Sequence, residues 1–310
     1  MKNGIRRRSL IKGVAGLGAC HALSPLLASE NATGIIARAV PSSGVEIPAI
    51  GLGSWLTFDA GSVKSRRENV RRVMQAFFDR GGGMIDSSPM YSTAQEVIGA
   101  GLKKINNKAK LFSATKVWIP GRRPGIWQMN GALDLWGLDT FDLIHIHNLV
   151  DWETHLPWLR EWKDKGKVRH LGVTTSHGRK HAKFQQVISA ETLDFVQFTY
   201  SLSHREVENR LLPMAMDKGL AVVINRPFNG GALFRAVRNK PLPVWASEID
   251  CGNWAQFFLK FIVSHPAVTC AIPATSKVEH LHENMGALHG RLPDAAMRHE
   301  MIHYFESLSS

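Results

Sequence analysis

Four polar residues of this 310-residue chain stand where short apolar runs end. Asp86 closes Met84-Ile85-Asp86, and Tyr91 follows in Ser87-Ser88-Pro89-Met90-Tyr91. Lys116 follows Leu111–Thr115, and His147 closes Leu143-Ile144-His145-Ile146-His147. A carboxylate, a phenol, an ammonium and an imidazole are groups that hold and move protons, provided the runs are strands whose ends converge. Taken singly each is bland, since a lone lysine at a strand end is usually solvated and a lone histidine usually structural. Four at consecutive strand ends point to chemistry. A different reading starts from His145 and His147. Strand alternation puts both imidazoles on one face, a geometry that a metal ion can use. Zinc would need further ligands at other strand ends, and the spacing of Cys251 and Cys270 matches no metal motif, so no metal is expected. His145 is instead expected as a buried, hydrogen-bonded residue one layer below His147.

The elements that must position these groups are legible as alternating patterns. Candidate strands are Ala49–Gly53, Met84–Asp86, Leu111–Thr115, Leu143–His147, His170–Thr174, Phe195–Thr199, Ala221–Asn225 and Thr269–Ile272. Amphipathic stretches lie between them: Ser65–Arg80, Ala94–Lys103, Asp151–Lys165, His177–Ser189, Arg205–Lys218, Asn253–Ser264 and Lys277–Leu288, with Pro293–Ser307 a final helix. In the first, Val70, Val73, Met74, Phe77 and Phe78 recur at helical spacing as one apolar stripe, and Gly81-Gly82-Gly83 stops the helix. Before the first strand, Ile35–Arg38 and Val45–Pro48 flank a Pro41-Ser42-Ser43-Gly44 turn and read as a hairpin. Strands alternating with helices predict an α/β fold with a parallel sheet, and eight of them match the closed (β/α)8 TIM barrel, here with an N-terminal β-hairpin. Residues 229–250 form a longer insertion. Trp152, His155, Trp158 and Trp162 are read as packing on one helix face.

The first 28 residues stand apart as an export signal peptide, leaving residues 29–310 as the barrel. Arg6-Arg7-Arg8-Ser9-Leu10-Ile11-Lys12 precedes a short, Gly-diluted apolar segment and a plausible cleavage point after Ala28. The paired arginines resemble a twin-arginine signal, which implies the twin-arginine translocation machinery as a partner and a periplasmic location. A second reading takes Leu17-Gly18-Ala19-Cys20 as a lipobox, with lipidated Cys20 anchoring the protein to a membrane. A third takes the segment as the basic tail of a cytoplasmic protein. The net charge is +12, but Lys2, Arg6, Arg7, Arg8 and Lys12 fall here with no acid, so the rest carries +7. No basic run interleaved with aromatics suggests a nucleic-acid groove.

The order of motifs resembles the aldo-keto reductase family from about Gly34 to Ala287. The similarity runs through Ile50-Gly51-Leu52-Gly53-Ser54-Trp55, the Asp-x4-Tyr segment, the Thr115-Lys116 and Ile146-His147 strand ends, and Ile272-Pro273-Ala274-Thr275-Ser276 leading to Glu283-Asn284. The resemblance implies interconversion of a small aldehyde or ketone and its alcohol by hydride transfer from NAD(P)H, with Asp86, Tyr91, Lys116 and His147 as a catalytic tetrad. Physical chemistry agrees with those roles. A phenol ordinarily titrates near pH 10, and a neighbouring ammonium favours its ionised form. Tyr91 is then the acid/base, Asp86 holds Lys116, and His147 orients the substrate oxygen. The resemblance also implies cofactor contacts from Gly53, Ser54, Trp55, Thr174, Thr175, Gln197, Asn225, Arg226, Thr275, Ser276, Glu283 and Asn284. Trp55, Trp118 and Asn148 are expected at the substrate, with Phe58 and Phe228 adding to an aromatic mouth.

Several positions depart from the family pattern. Thr174-Thr175 replaces a usual Ser-Asn, Asn225 stands in the place of a stacking tyrosine, and Arg226 replaces a small residue, where it is expected to reach the cofactor's pyrophosphate. His280 stands where an arginine for the 2′-phosphate is common, with Lys277 nearby, so the cofactor leans to NADP with NAD open. These departures also keep a second class in view, a binding or regulatory protein that retains the reductase fold.

Overall fold

The computed structural model describes Met1, the strand Ser29–Glu30 and residues 34–308. A three-stranded antiparallel sheet comes first: β1 (Ser29–Glu30), β2 (Ile36–Ala39) and β3 (Glu46–Pro48), with Arg38 paired to Ile47. Then follow β4 (Leu52–Gly53), α1 (Lys64–Asp79), β5 (Met84–Asp86), α2 (Ala94–Leu102), β6 (Phe112–Val117), α3 (Arg122–Trp136), β7 (Phe141–Ile146) and α4 (Trp152–Asp164). The second half runs through β8 (Val168–Thr174), α5 (His181–Ala190), β9 (Phe195–Thr199), α6 (Leu211–Asp217), β10 (Ala221–Asn225), α7 (Ala232–Ala236), α8 (Trp254–Val263), β11 (Cys270–Ala271), α9 (Val278–Met285) and α10 (Ala295–Ser307). Strands β4 to β11 pair in sequence order, all parallel. Parallel bridges from Ile50 to Ala271 and from Gly53 to Ala274 close the ring, with Gly51 N donating to Ala271 O at 2.8 Å. The expected (β/α)8 barrel with its hairpin is the observed fold.

Strand alternation fills the barrel. Met84, Phe112, Leu143, Phe195, Val223 and Cys270 point inward, joined from below by Val40 and Ile47 of the hairpin, which plug the N-terminal end. The hairpin is tied down by Ser43 Oγ and His170 Nε2 at 2.8 Å and by Arg38 Nη2 donating to Val263 O. Outward-facing Ile85, Ile144, Ile146, Val196, Phe198 and Ile224 pack beneath the helices. The predicted stripe of α1 is its buried face, and Arg80 and the glycine run end it. His155, Trp158 and Trp162 of α4 are buried as packing residues. Asn253 and Asp294 cap α8 and α10 by accepting from Gln256 N and Met297 N.

Three features differ from expectation. Helix α3 has no counterpart among the predicted segments because Pro124, Gly125 and Gly131 dilute its pattern. Pro124 falls in the first turn, where its missing N–H costs nothing. Phe58 is fully buried in the core instead of forming part of a mouth. His145 is fully buried as expected, but neither ring nitrogen has a hydrogen-bonding partner among the described residues. It fits because Gly172 stands opposite in register: a Cβ there would lie 2.6 Å from the imidazole.

The expectation of a periplasmic, possibly membrane-anchored protein does not stand. Among the described residues no helix is long and apolar enough to cross a membrane. The longest has 16 residues, against about 20 for a span, and buries one amphipathic face. The export signal and Cys20 lie outside the described residues. Cys251 and Cys270 are free and buried.

The last helix is latched to the barrel by Arg298. Its guanidinium donates to Tyr200 Oη at 2.6 Å, to Glu208 Oε1 at 2.9 Å and to Phe261 O, while Tyr200 donates to Glu208. Burial pushes the Tyr200 phenol up, so it stays a donor.

Two outcomes follow from this packing. Gly99 of α2 lies against the end of α3, and a Cβ would sit 1.8 Å from Leu135 O. Gly99→Ala is expected to lower the urea-unfolding free energy by about 1–3 kcal/mol, because the two helices must separate. Burial, reinforced by nearby cations, holds His145 well below the ordinary histidine value and His265 down to about 4. The unfolded chain takes up these protons near pH 6.5 whereas the folded chain excludes them. Stability is therefore full above the unfolded value and falls as pH drops below it. Urea titrations at about pH 7.5, 6 and 5 should show that loss, with a shallower slope in His145→Leu.

Candidate active site

The C-terminal ends of the strands surround a cleft of about 560 Å³. At its base, Lys116 at the end of β6 is fully buried beside Asp86 at the end of β5. The Lys116 ammonium forms an ion pair with Asp86 Oδ1 and donates to Ser87 O at 3.0 Å. The second carboxylate oxygen accepts from Gln197 Nε2 at 3.2 Å, and Ser54 Oγ donates to Asp86 O at 2.9 Å. Burial opposes the Lys116 charge, but Asp86 and Tyr91 outweigh it, and the ammonium is held above its ordinary value. A buried pair of this kind is expensive to desolvate and persists only when hydrogen bonds satisfy both ions.

Tyr91, on the turn between β5 and α2, projects over this pair with its ring centroid 5.4 Å from Lys116 Nζ. Burial raises the phenol above its ordinary value and Asp86 adds to the rise, while Lys116 pulls it back without reversing it. The phenol is therefore protonated at neutral pH. Its depression by Lys116, expected from the sequence, is present but is outweighed by burial. His147 stands at 6.1 Å from Tyr91, centroid to centroid and perpendicular. Burial, with Lys116 second, lowers its imidazole to about 3, so it is neutral. Ser88 Oγ lies 3.0 Å from His147 Nδ1. When Ser88 donates, Nε2 carries the proton and is a donor.

The structure thus brings Asp86, Tyr91, Lys116 and His147 together. Gly53, Ser54, Trp55, Asn148 and Thr174 line the same cleft, as do Gln197, Asn225 and Arg226. Phe228 also contributes to the wall, as expected. Trp118 is half exposed, with its ring 6.5 Å from His147. Thr175 does not line the cleft; its hydroxyl donates to Arg179 O. Asn225 is tied sideways, donating to Thr175 O at 2.9 Å and accepting from Thr199 Oγ1 at 2.7 Å. Thr275, Ser276, Glu283 and Asn284 lie apart from the four, at the β11–α9 junction and along α9. The cleft reaches toward them as far as Ala274.

Sequence reasoning missed Ser88, which hydrogen-bonds to His147 Nδ1, and Thr199, which locks Asn225. Ser88 was visible as a small hydroxyl residue between Asp86 and Tyr91. Thr199 carried no signal, because its role depends on a neighbouring strand. Met90, Ser176, His177 and Phe234 also line the cleft.

Comparison with known proteins agrees with this architecture. The profile described as "Aldo/keto reductase family" matches residues 49–300. The chain is 26% identical over 266 residues to methylglyoxal reductase YeaE of Escherichia coli (strain K12), covering 83% of this chain and 90% of that protein. It is 22% identical over 314 residues to the NADH-specific methylglyoxal reductase of the same organism, covering 81% and 93%. In fold it is similar to an aldo/keto reductase from Klebsiella pneumoniae solved with NADP and acetate, with a TM-score of 0.72, 22% identity and coverage of 84% and 93%. With a profile match across the barrel from its first strand into its last helix, this chain belongs to the aldo/keto reductase family.

Proposed function

We propose that the protein is an NADPH-dependent oxidoreductase that interconverts a small aldehyde or ketone and its alcohol, with Tyr91 as the acid/base. The observation that carries this reading is the Tyr91 phenol standing over the buried Lys116–Asp86 pair, facing the cleft beside His147. The chain's own donors fit a nicotinamide dinucleotide. Thr174 and Gln197 present a hydroxyl and an amide to the cleft, and its far end reaches Ala274. Just beyond lies the Thr275–Ser276 junction, where backbone N–H groups favour phosphate. Trp55 and Ser54 would border the nicotinamide, and Glu283 and Asn284 the adenine. Lys277 and His280 would supply contacts for a 2′-phosphate.

When bound, the reduced nicotinamide supplies a hydride to the carbonyl carbon. The remaining work falls to side chains of this chain. His147 Nε2–H orients the carbonyl oxygen, and the Tyr91 phenol donates its proton to that oxygen as negative charge builds. Lys116 stabilises the phenolate left behind, and Asp86 keeps the ammonium in place. In oxidation of the alcohol the same proton returns to Tyr91. The likeness to two proteins named methylglyoxal reductases supports a small carbonyl compound as the substrate.

The departures at Thr175 and Asn225 support a second reading, a binding protein that keeps the reductase fold. One comparison separates the two. Tyr91→Phe is expected to lower kcat for methylglyoxal reduction by about 100-fold or more, within the range for a lost proton donor, while NADPH still binds in a fluorescence titration. Undiminished turnover in the variant removes Tyr91 from its role. Wild-type protein that binds NADPH but reduces no aldehyde favours the binding reading.

A further inference from the structure

The cleft is unbalanced in charge. Among its lining residues Asp86 is the one carboxylate, and Lys116 already neutralises it. The mouth adds the guanidinium groups of Arg226 and Arg179, with no acid to match them. Among the described residues neither side chain forms an ion pair or a side-chain hydrogen bond, unlike Arg67, Arg122, Arg160, Arg205 and Arg298, which each hold a glutamate.

Arg226 is also held in an unusual backbone state. It has φ +52° at the end of β10, a region that a residue with a long side chain seldom adopts. Asn229 N donates to its carbonyl at 2.8 Å and fixes the turn. This turn lays the half-buried guanidinium over the Trp55 indole, 5.8 Å from the ring centroid. Burial lowers the His177 imidazole and the nearby Arg226 cation lowers it further. Trp55 and His177 mark the mouth of the cleft. A planar cation held over an indole, with no ion-pair partner among the described residues, has N–H donors left for a bidentate oxyanion.

We infer that the cleft selects carbonyl substrates bearing an anionic group, a carboxylate or phosphate, and that Arg226 is the specificity-determining residue that receives it. Arg179, exposed on the same cleft, adds to the attraction. The turnover test rests on the reductase reading above. The shared chemistry of an oxyanion could also be met by the cofactor's pyrophosphate, so the test separates the two sources.

The experiment uses two aldehydes of equal length, succinic semialdehyde and butanal, with NADPH and the full chain. Charge-assisted hydrogen bonds predict a wild-type kcat/KM ratio of at least about tenfold in favour of the charged aldehyde, and a ratio near one in Arg226→Gln. Equal wild-type values, or a ratio that survives in the variant, overturn the inference. If that surviving ratio comes with a Kd for NADPH raised about tenfold, the guanidinium holds the cofactor instead. Should neither aldehyde be turned over, the reductase reading fails separately. Calorimetric titration with 4-hydroxybutyrate then decides the inference. Binding weakened at least about fivefold in Arg226→Gln sustains it, and absent or unchanged binding overturns it.

Discussion

A fully buried ammonium beside a carboxylate, at the point where two barrel strands end, constrains everything around it. Stripping water from Lys116 and Asp86 is costly, and removing either partner from such a pair typically costs about 3–5 kcal/mol because the other is left uncompensated. The surroundings are arranged to satisfy both. Gln197 reaches across from β9, the Ser87 carbonyl turns inward, and Tyr91 stands above the ammonium. Replacing a buried ion pair with well-packed hydrophobic residues is often neutral or stabilising. That the chain keeps charges here is the mark of a site that pays in stability for the handling of protons.

Much of the fold was legible because its physics is local. Apolar runs of about three to five residues between amphipathic stretches identify parallel strands, and the α1 stripe anticipated its buried face residue by residue. Helix α3 was not legible, since proline and glycine hid a pattern that tertiary contacts with α2 sustain. The four polar strand ends were visible as types and positions. What the strands do to them was not: the height of the Tyr91 phenol depends on how deeply the barrel buries it. The slot for His145 exists because Gly172 of the next strand lacks a side chain. Phe58 was misjudged for the same reason, as an aromatic residue after a strand can face either way.

Three of the departures from the family pattern, Thr175, Asn225 and Arg226, also lie together in space. Asn225 accepts from Thr199 and donates to the Thr175 carbonyl, and the next residue, Arg226, turns over Trp55. A polar brace and a cation thus occupy the region where the family usually places a stacking ring. Reading these positions singly suggested damage to a cofactor site; together they describe a rebuilt wall.

The barrel is unevenly sewn. Strands β6, β7 and β8 run six or seven residues, whereas β4 and β11 run two each, and the ring closes between those two through isolated bridges. The seam is held by isolated bridges where β6–β7 and β7–β8 form longer ladders, so local opening is expected there before it reaches those strands. One lip of the seam carries Gly53 and the other leads through Ala274 to Thr275. A long molecule settling along the mouth therefore meets a lightly paired part of the wall, while the long strands β6 and β7 hold Lys116 and His147.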